Sequence, residues 1–143
     1  MRPRTPKCFV LAAFMFLTVA AGARGEEALD WSIHSEEQTV EVVTTNQDGS
    51  SRETKVWLIV VDGQGYIRTG NTRWGGNIER NPDVVLRIGE TELPLRIELV
   101  TDEAERTAVT AAFRDKYGFS DWILTPFRRG EPKIMRLMPR SAP

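Results

Sequence analysis

A leader of about 25 residues limits how much of this 143-residue chain can fold. It has three basic residues among its first seven, an apolar run over 8–21 and small residues over 21–25, which is the pattern of a signal peptide. The apolar run has about 14 residues, whereas a helix needs about 20 to cross the hydrocarbon core of a bilayer. We therefore expect cleavage after Gly25 or Ala23, export to the periplasm or the medium, no stable membrane anchor, and one domain of about 118 residues.

Composition argues against several classes of function. The leader holds four of the 19 Lys and Arg and none of the 20 Asp and Glu, so the mature chain has a formal net charge of −5, which disfavours nucleic-acid binding. The single cysteine, Cys8, lies in the leader, and the single histidine, His34, lies in an acidic stretch. We therefore expect no disulfide, no metal site and no histidine-based catalytic triad in the mature protein.

After an irregular acidic lead-in at 26–37, the mature chain predicts short strands separated by turns. Runs of β-branched or apolar residues indicate the strands, and clusters of Gly, Asn and Asp indicate the turns. The six predicted strands cover 39–45, 54–61, 66–69, 83–88, 93–100 and 133–138. In the fifth, alternation places Leu95, Ile97 and Leu99 on a buried face, and Pro94 predicts a sheet edge because it lacks a backbone donor.

One helix is predicted over 102–117, where Asp102 and Glu105 form a capping pair and Gly118 ends the pattern. Its predicted apolar face contains Ala104, Ala108, Val109, Ala112, Phe113 and Tyr117. Segment 70–82 predicts a loop with at most one helical turn, and 119–132 predicts an aromatic loop. The prediction is an α+β fold over 38–140: a small six-stranded, mostly antiparallel barrel or half-barrel with one main helix before the last strand.

The segment from Trp74 to Pro82, WGGNIERNP, followed by an apolar strand, is similar to a Trp-x-x-Asn-Leu-x-x-Asn-Pro pattern. On this segment and the hairpin before it, the chain resembles the FMN-binding split β-barrel superfamily, which includes pyridoxamine-phosphate-oxidase-like proteins, and most of all its deazaflavin-dependent nitroreductase branch. The resemblance implies a split barrel that binds the phosphate and ring of a flavin or deazaflavin, commonly in a homodimer. Trp74 stands where the oxidase branch has a phosphate-binding lysine, and the hairpin turn NQDGSS lacks the basic residues usual in the deazaflavin branch.

A cofactor site is predicted where the third strand leads into the following loop, because guanidinium, hydroxyl and amide groups are concentrated there and suit a phosphate. The predicted cofactor-binding residues are Arg68, Thr69, Asn71, Thr72, Arg73, Trp74 and Asn77. The alternatives are a solvated turn and, for Trp74, a side chain that caps the core, which is the favoured interpretation. Strand alternation would point Arg68 and Arg73 to opposite faces unless the chain bends at Gly70.

Two functions follow from these patterns. The first is an exported split-barrel protein that binds FMN or a deazaflavin coenzyme, with redox activity and the catalytic residues left open. The second is a module of the cell envelope that has no cofactor and binds a small molecule or a partner protein. The second is favoured by the export route, since a chain exported unfolded cannot carry a noncovalent cofactor from the cytoplasm.

Overall fold

The computed structural model describes residues 29–124 and 131–140, and side chains for 29–118 and 131–140. The predicted signal peptide and residues 125–130 of the predicted aromatic loop lie outside this part of the chain. The described elements are a 3-10 helix (Trp31–His34), β1 (Thr39–Thr45), β2 (Ser51–Trp57), β3 (Ile59–Val61), β4 (Gln64–Thr69), α1 (Arg73–Arg80), β5 (Asp83–Ile88), β6 (Thr91–Leu99), α2 (Glu103–Leu124) and β7 (Lys133–Pro139). Neither described α-helix is long and apolar enough to span a membrane.

The strands form one antiparallel sheet in the order β2-β1-β5-β6-β7-β4-β3. Its edge strands, β2 and β3, are consecutive in the chain and are separated by Leu58 alone. The connection between them therefore curls the sheet into a half-barrel. The prediction of one strand over 54–61 is wrong, because the chain leaves one edge of the sheet at Leu58 and joins the opposite edge as a new strand. The sheet therefore has seven strands instead of the six predicted.

Backbone groups at this crossing are held by the lead-in and by α2. The Leu58 N–H donates to the Gln38 carbonyl at 3.1 Å. The Lys116 ammonium donates to the Leu58 carbonyl at 3.2 Å and to the carbonyls of Ser35 and Glu37. These bonds satisfy backbone acceptors that no neighbouring strand reaches.

Alternate side chains of the curled sheet form the main core, which includes the fully buried Val42, Leu86 and Leu137. Trp31 is also in this core and is only 2% exposed, so the prediction that 26–37 is an irregular surface lead-in is wrong at this residue. The Asp30 carboxylate caps the 3-10 helix that contains Trp31, by accepting from the Ser32 N–H at 3.0 Å.

Helix α2 packs on the outer surface of β3, β4 and β7. Asp102 caps it through the Glu105 N–H at 2.8 Å, as the sequence predicts. Phe113 is fully buried there, whereas Ala104 and Ala108 are exposed, so the buried face is narrower than predicted. Gly118 has a φ of +46° and kinks the helix, and the backbone continues as helix to Leu124, where the sequence predicts a loop.

Strand β6 departs from its prediction in two ways. It lies between β5 and β7, so Pro94 is not on an edge strand. Pairing with β7 begins at Leu95, one residue later, and therefore the missing N–H of Pro94 breaks no bond of that ladder. At the other end, Leu99 is exposed and Val100 is buried, because the strand ends at Leu99 and the alternation stops there.

Candidate functional site

The segment that the sequence identifies as a cofactor site runs from the end of β4 into α1. The predicted loop is wrong over Arg73–Arg80, because α1 has eight residues and two turns there. Thr72 caps it, accepting from the Gly75 N–H on its Oγ1 at 3.1 Å and from the Gly76 N–H on its carbonyl at 3.0 Å. Ile78 and Trp74 are both buried in the core and are four residues apart. This spacing is typical of one face of a helix, and the glycine-rich composition of the segment obscured it in the sequence.

Arg68 and Thr69 lie on opposite faces of β4. The Arg68 guanidinium carbon is 4.3 Å from the centroid of the Phe113 ring, on the face covered by α2. The Thr69 and Thr72 hydroxyls share a hydrogen bond of 2.7 Å on the other face, next to α1. The structure therefore groups Thr69 with the start of α1 and leaves Arg68 beneath α2.

Three of the predicted site residues form an exposed polar group at the amino end of α1: Asn71, Thr72 and Arg73. No hydrogen bond or ion pair joins the Arg73 guanidinium to another described residue. A Cβ added at Gly76, in the same turn, would meet no atom within 4 Å, so the surface there is open. The helix dipole adds partial positive charge at this end, and the group as a whole suits an anion.

Trp74 belongs to the core. It is 8% exposed and lies in the same cluster as Trp31, which confirms the interpretation of its indole as a core cap. Its ring is therefore not a surface on which a flavin could stack.

Asn77 is 4% exposed, and its amide is engaged within the protein. The Nδ2 donates to Thr44 Oγ1 at 3.0 Å and to Asn46 Oδ1 at 2.9 Å, and the Oδ1 accepts from Arg80 Nη2 at 2.5 Å. Arg52 also donates to Asn46 Oδ1, from the opposite strand of the hairpin, at 3.1 Å. Both amide hydrogens of Asn77 thus tie α1 to the β1–β2 hairpin.

A second polar cluster, under α2, was not predicted. Glu105 accepts from the Tyr66 hydroxyl at 2.7 Å and from Arg136 Nε at 3.0 Å, and Arg136 Nη1 also donates to Glu98 at 2.9 Å. These bonds from Arg136 and Tyr66 hold the pKa of Glu105 below its usual value, while burial raises the pKa of Tyr66. Its members come from separate elements, so local patterns could not find it. No cluster of metal-binding side chains occurs in the described part of the chain.

Comparisons with known proteins agree with this architecture. A family model described as "Uncharacterized protein conserved in bacteria (DUF2255)" matches residues 32–134. No curated protein matches the sequence.

Several solved structures have a similar fold, and three of them are compared with this chain below. The conserved hypothetical protein Rv2991 from Mycobacterium tuberculosis has a TM-score of 0.62 and 18% identity, covering 82% of each chain. A FAD-binding protein from Mesorhizobium loti has a TM-score of 0.56 and 13% identity, covering 78% of this chain and 88% of that one. An F420-H2 dependent reductase has a TM-score of 0.51 and 17% identity, covering 70% and 94%. The predicted split-barrel fold is confirmed.

Proposed function

The chain belongs to the DUF2255 family of bacterial proteins and has the split-barrel fold, and from this premise we propose that it binds a flavin or deazaflavin cofactor at the amino end of α1. The observation that carries the proposal is the exposed guanidinium of Arg73 beside Asn71 and Thr72. Two proteins of the same fold are described as binding FAD or depending on reduced F420, which makes FMN and deazaflavin coenzymes the first ligands to test.

The exposed residues fit the anionic part of such a cofactor. The planar guanidinium of Arg73 can donate two parallel hydrogen bonds to a phosphate. The Asn71 amide adds a donor, and the positive end of the α1 dipole favours the same charge. Arg68 is held against Phe113 on the other face of β4 and takes no part in this proposal.

The ring of the cofactor needs a different surface from the one predicted, because Trp74 is buried. Residues 71–73 would fix the phosphate and thereby orient the ring along the outside of the barrel. A bound flavin or deazaflavin would supply hydride or electron transfer, and the protein would supply binding and orientation.

The test is a titration of FMN, F420 and haem against the mature protein, followed by absorbance and fluorescence. Arg73→Ala should weaken binding of the anionic cofactor by about one to two orders of magnitude, because a hydrogen bond to a charged group contributes roughly 1.5 to 3 kcal/mol. Lys55→Ala is the matched control, since Lys55 is an exposed cation on edge strand β2 with no ion pair to a described residue. Equal affinities in the two variants would remove the site from α1.

A second candidate function is a module that binds a small molecule or a partner protein without a cofactor. The positions of Trp74 and Asn77 in the structure favour it. Both were predicted to contact a cofactor, yet Trp74 is in the core and the Asn77 amide is bonded to the hairpin. An absorption spectrum of the protein purified from its native compartment separates the two functions. A flavin or deazaflavin band supports the first, and the absence of any flavin, deazaflavin or haem band in otherwise pure protein supports the second.

Export and dimerisation are part of the same proposal. The leader predicts release of a mature chain that begins near Glu26, so its cofactor would be acquired outside the cytoplasm. Amino-terminal sequencing checks this, and an intact Met1 in the main product would contradict it.

The resemblance to split-barrel proteins also predicts a homodimer, which sedimentation velocity would detect as a species of twice the chain mass.

A further inference from the structure

Two adjoining cavities lie between α2 and the ends of β6 and β7, away from the amino end of α1. The larger has a volume of about 460 Å³ and the smaller about 300 Å³. Thr101, Arg106 and Glu131 line both of them, so they form one continuous depression, which we call the α2 cleft. Its two halves differ in chemistry.

The larger half is lined by two cations and two carboxylates: Arg106 and Arg114, with Glu103 and Glu131. Arg106, Thr110 and Arg114 line it at intervals of four residues, so they project from the same side of the helix. Arg114 is exposed and makes no hydrogen bond or ion pair with another described residue. Arg106 has an ion pair with Glu131 at the long distance of 3.5 Å. The pair is also solvated, since the Glu131 side chain is 87% exposed. Both guanidinium groups are therefore accessible to a ligand.

The smaller half is lined by four apolar residues and by four polar or charged ones, which are Thr101, Arg106, Glu131 and Lys133. Leu99, Val100, Pro132 and Ile134 contribute to its lining. Leu99 is 55% exposed, one of only two large hydrophobic side chains exposed to this degree in the described part of the chain. Its exposure follows from the end of alternation in β6, which turns Leu99 outward while Val100 enters the core. An apolar contact surface thus lies next to two cationic groups.

We propose that the α2 cleft binds a small amphiphilic anion, a carboxylate carried on a short apolar chain. The carboxylate bonds to the guanidinium groups of Arg114 and Arg106, with the Thr110 hydroxyl as a further donor between them. The apolar chain lies on Leu99 and Pro132, where its burial removes hydrocarbon surface from water. The site is separate from the one proposed for a cofactor, and it requires neither a flavin nor redox activity.

The experiment is isothermal titration calorimetry of the mature protein with octanoate, octylamine and butyrate. Octanoate should bind best, since octylamine has the wrong charge and butyrate too little apolar surface. Arg114→Ala should weaken octanoate binding about tenfold and reduce its salt dependence. Leu99→Ser should weaken octanoate while changing butyrate little, and Lys55→Ala should change neither.

Arg114 and Leu99 are both exposed, so their variants should keep the fold, and circular dichroism will verify this. Arg73→Ala should leave octanoate binding unchanged even if it abolishes cofactor binding, which separates failure of this proposal from failure of the proposed function. Equal binding of octanoate and octylamine, or wild-type affinity in Arg114→Ala, would overturn the proposal. Co-sedimentation with phosphatidylglycerol vesicles without octanoate binding would also overturn it and would assign the cleft to a lipid surface.

Discussion

Trp31 packs directly on the backbone of Gly65, where β4 passes the 3-10 helix. A Cβ added at Gly65 would lie 2.6 Å from Trp31 Cδ2 and less than 3 Å from two further ring atoms. Position 65 therefore requires glycine because the Trp31 ring lies too close for any side chain, and not because of its backbone conformation. This contact brings the segment that follows the predicted leader into the core of the barrel.

Gly65→Ala should destabilise the protein by roughly 1 to 3 kcal/mol, the usual cost of overpacking a core, because the Trp31 ring must shift. Chemical denaturation of the two proteins measures the difference in free energy of unfolding. Gly76→Ala is the control: its Cβ meets nothing within 4 Å, and alanine is the better helix former, so this variant should be neutral or slightly stabilised. Equal effects of the two substitutions would contradict the contact with Trp31.

Phe113 is the largest side chain that α2 buries fully against the sheet. Phe113→Ala should cost about 3 to 5 kcal/mol of unfolding free energy, since it leaves a cavity and removes the ring that Arg68 contacts. Ala108→Ser, on the exposed side of the same helix, should cost only a few tenths of a kcal/mol as a helix propensity effect. An unchanged unfolding midpoint in Phe113→Ala would show that α2 does not dock on the sheet as described.

Much of the fold could be predicted from local sequence patterns. The strand over Thr39–Thr45 and the capping of α2 by Asp102 depend on residues close in the chain, and both are confirmed. The break at Leu58 could not be predicted, because its residues are continuously apolar and the two strands separate only when the sheet curls. Helix α1 was missed because the three glycines and three asparagines of residues 70–82 outweighed the helical spacing of Trp74 and Ile78.

The candidate site was harder to predict than the fold, because its polar side chains could form hydrogen bonds either within the protein or with a ligand. Sequence alone could not show that the Asn77 amide would meet Thr44 and Asn46, which lie more than 30 positions earlier. Nor could it show which face of β4 would carry Arg68. The exposed group around Arg73 remains as the part of the predicted site that a ligand can reach.

Asn77→Ala should destabilise the protein by roughly 1 to 3 kcal/mol, because it leaves the buried Thr44 hydroxyl without its donor and removes one of the two bonds that Asn46 Oδ1 accepts. Asn71→Ala, the same substitution at an exposed position, should change stability little. A double-mutant cycle between Asn77 and Asn46 should give a coupling energy of about 0.5 kcal/mol or more. Strict additivity in that cycle would mean that the bond between α1 and the hairpin contributes nothing.

The acid sensitivity of the fold should depend on Glu105. Its pKa is lowered from 4.5 in the folded state, chiefly by hydrogen bonds from Arg136 and then by the bond from Tyr66. A carboxyl whose pKa falls on folding stabilises the native state fully above its unfolded pKa and loses this contribution as pH drops through the folded value. Wild type should therefore be more stable than Glu105→Gln at pH 7, and the difference should shrink progressively below about pH 4.5. Urea unfolding at several pH values measures this, with Glu103→Gln in the same helical turn as the control. A gap between wild type and Glu105→Gln that stayed constant from pH 7 to pH 3 would show that the ion pair with Arg136 does not hold α2 to the sheet.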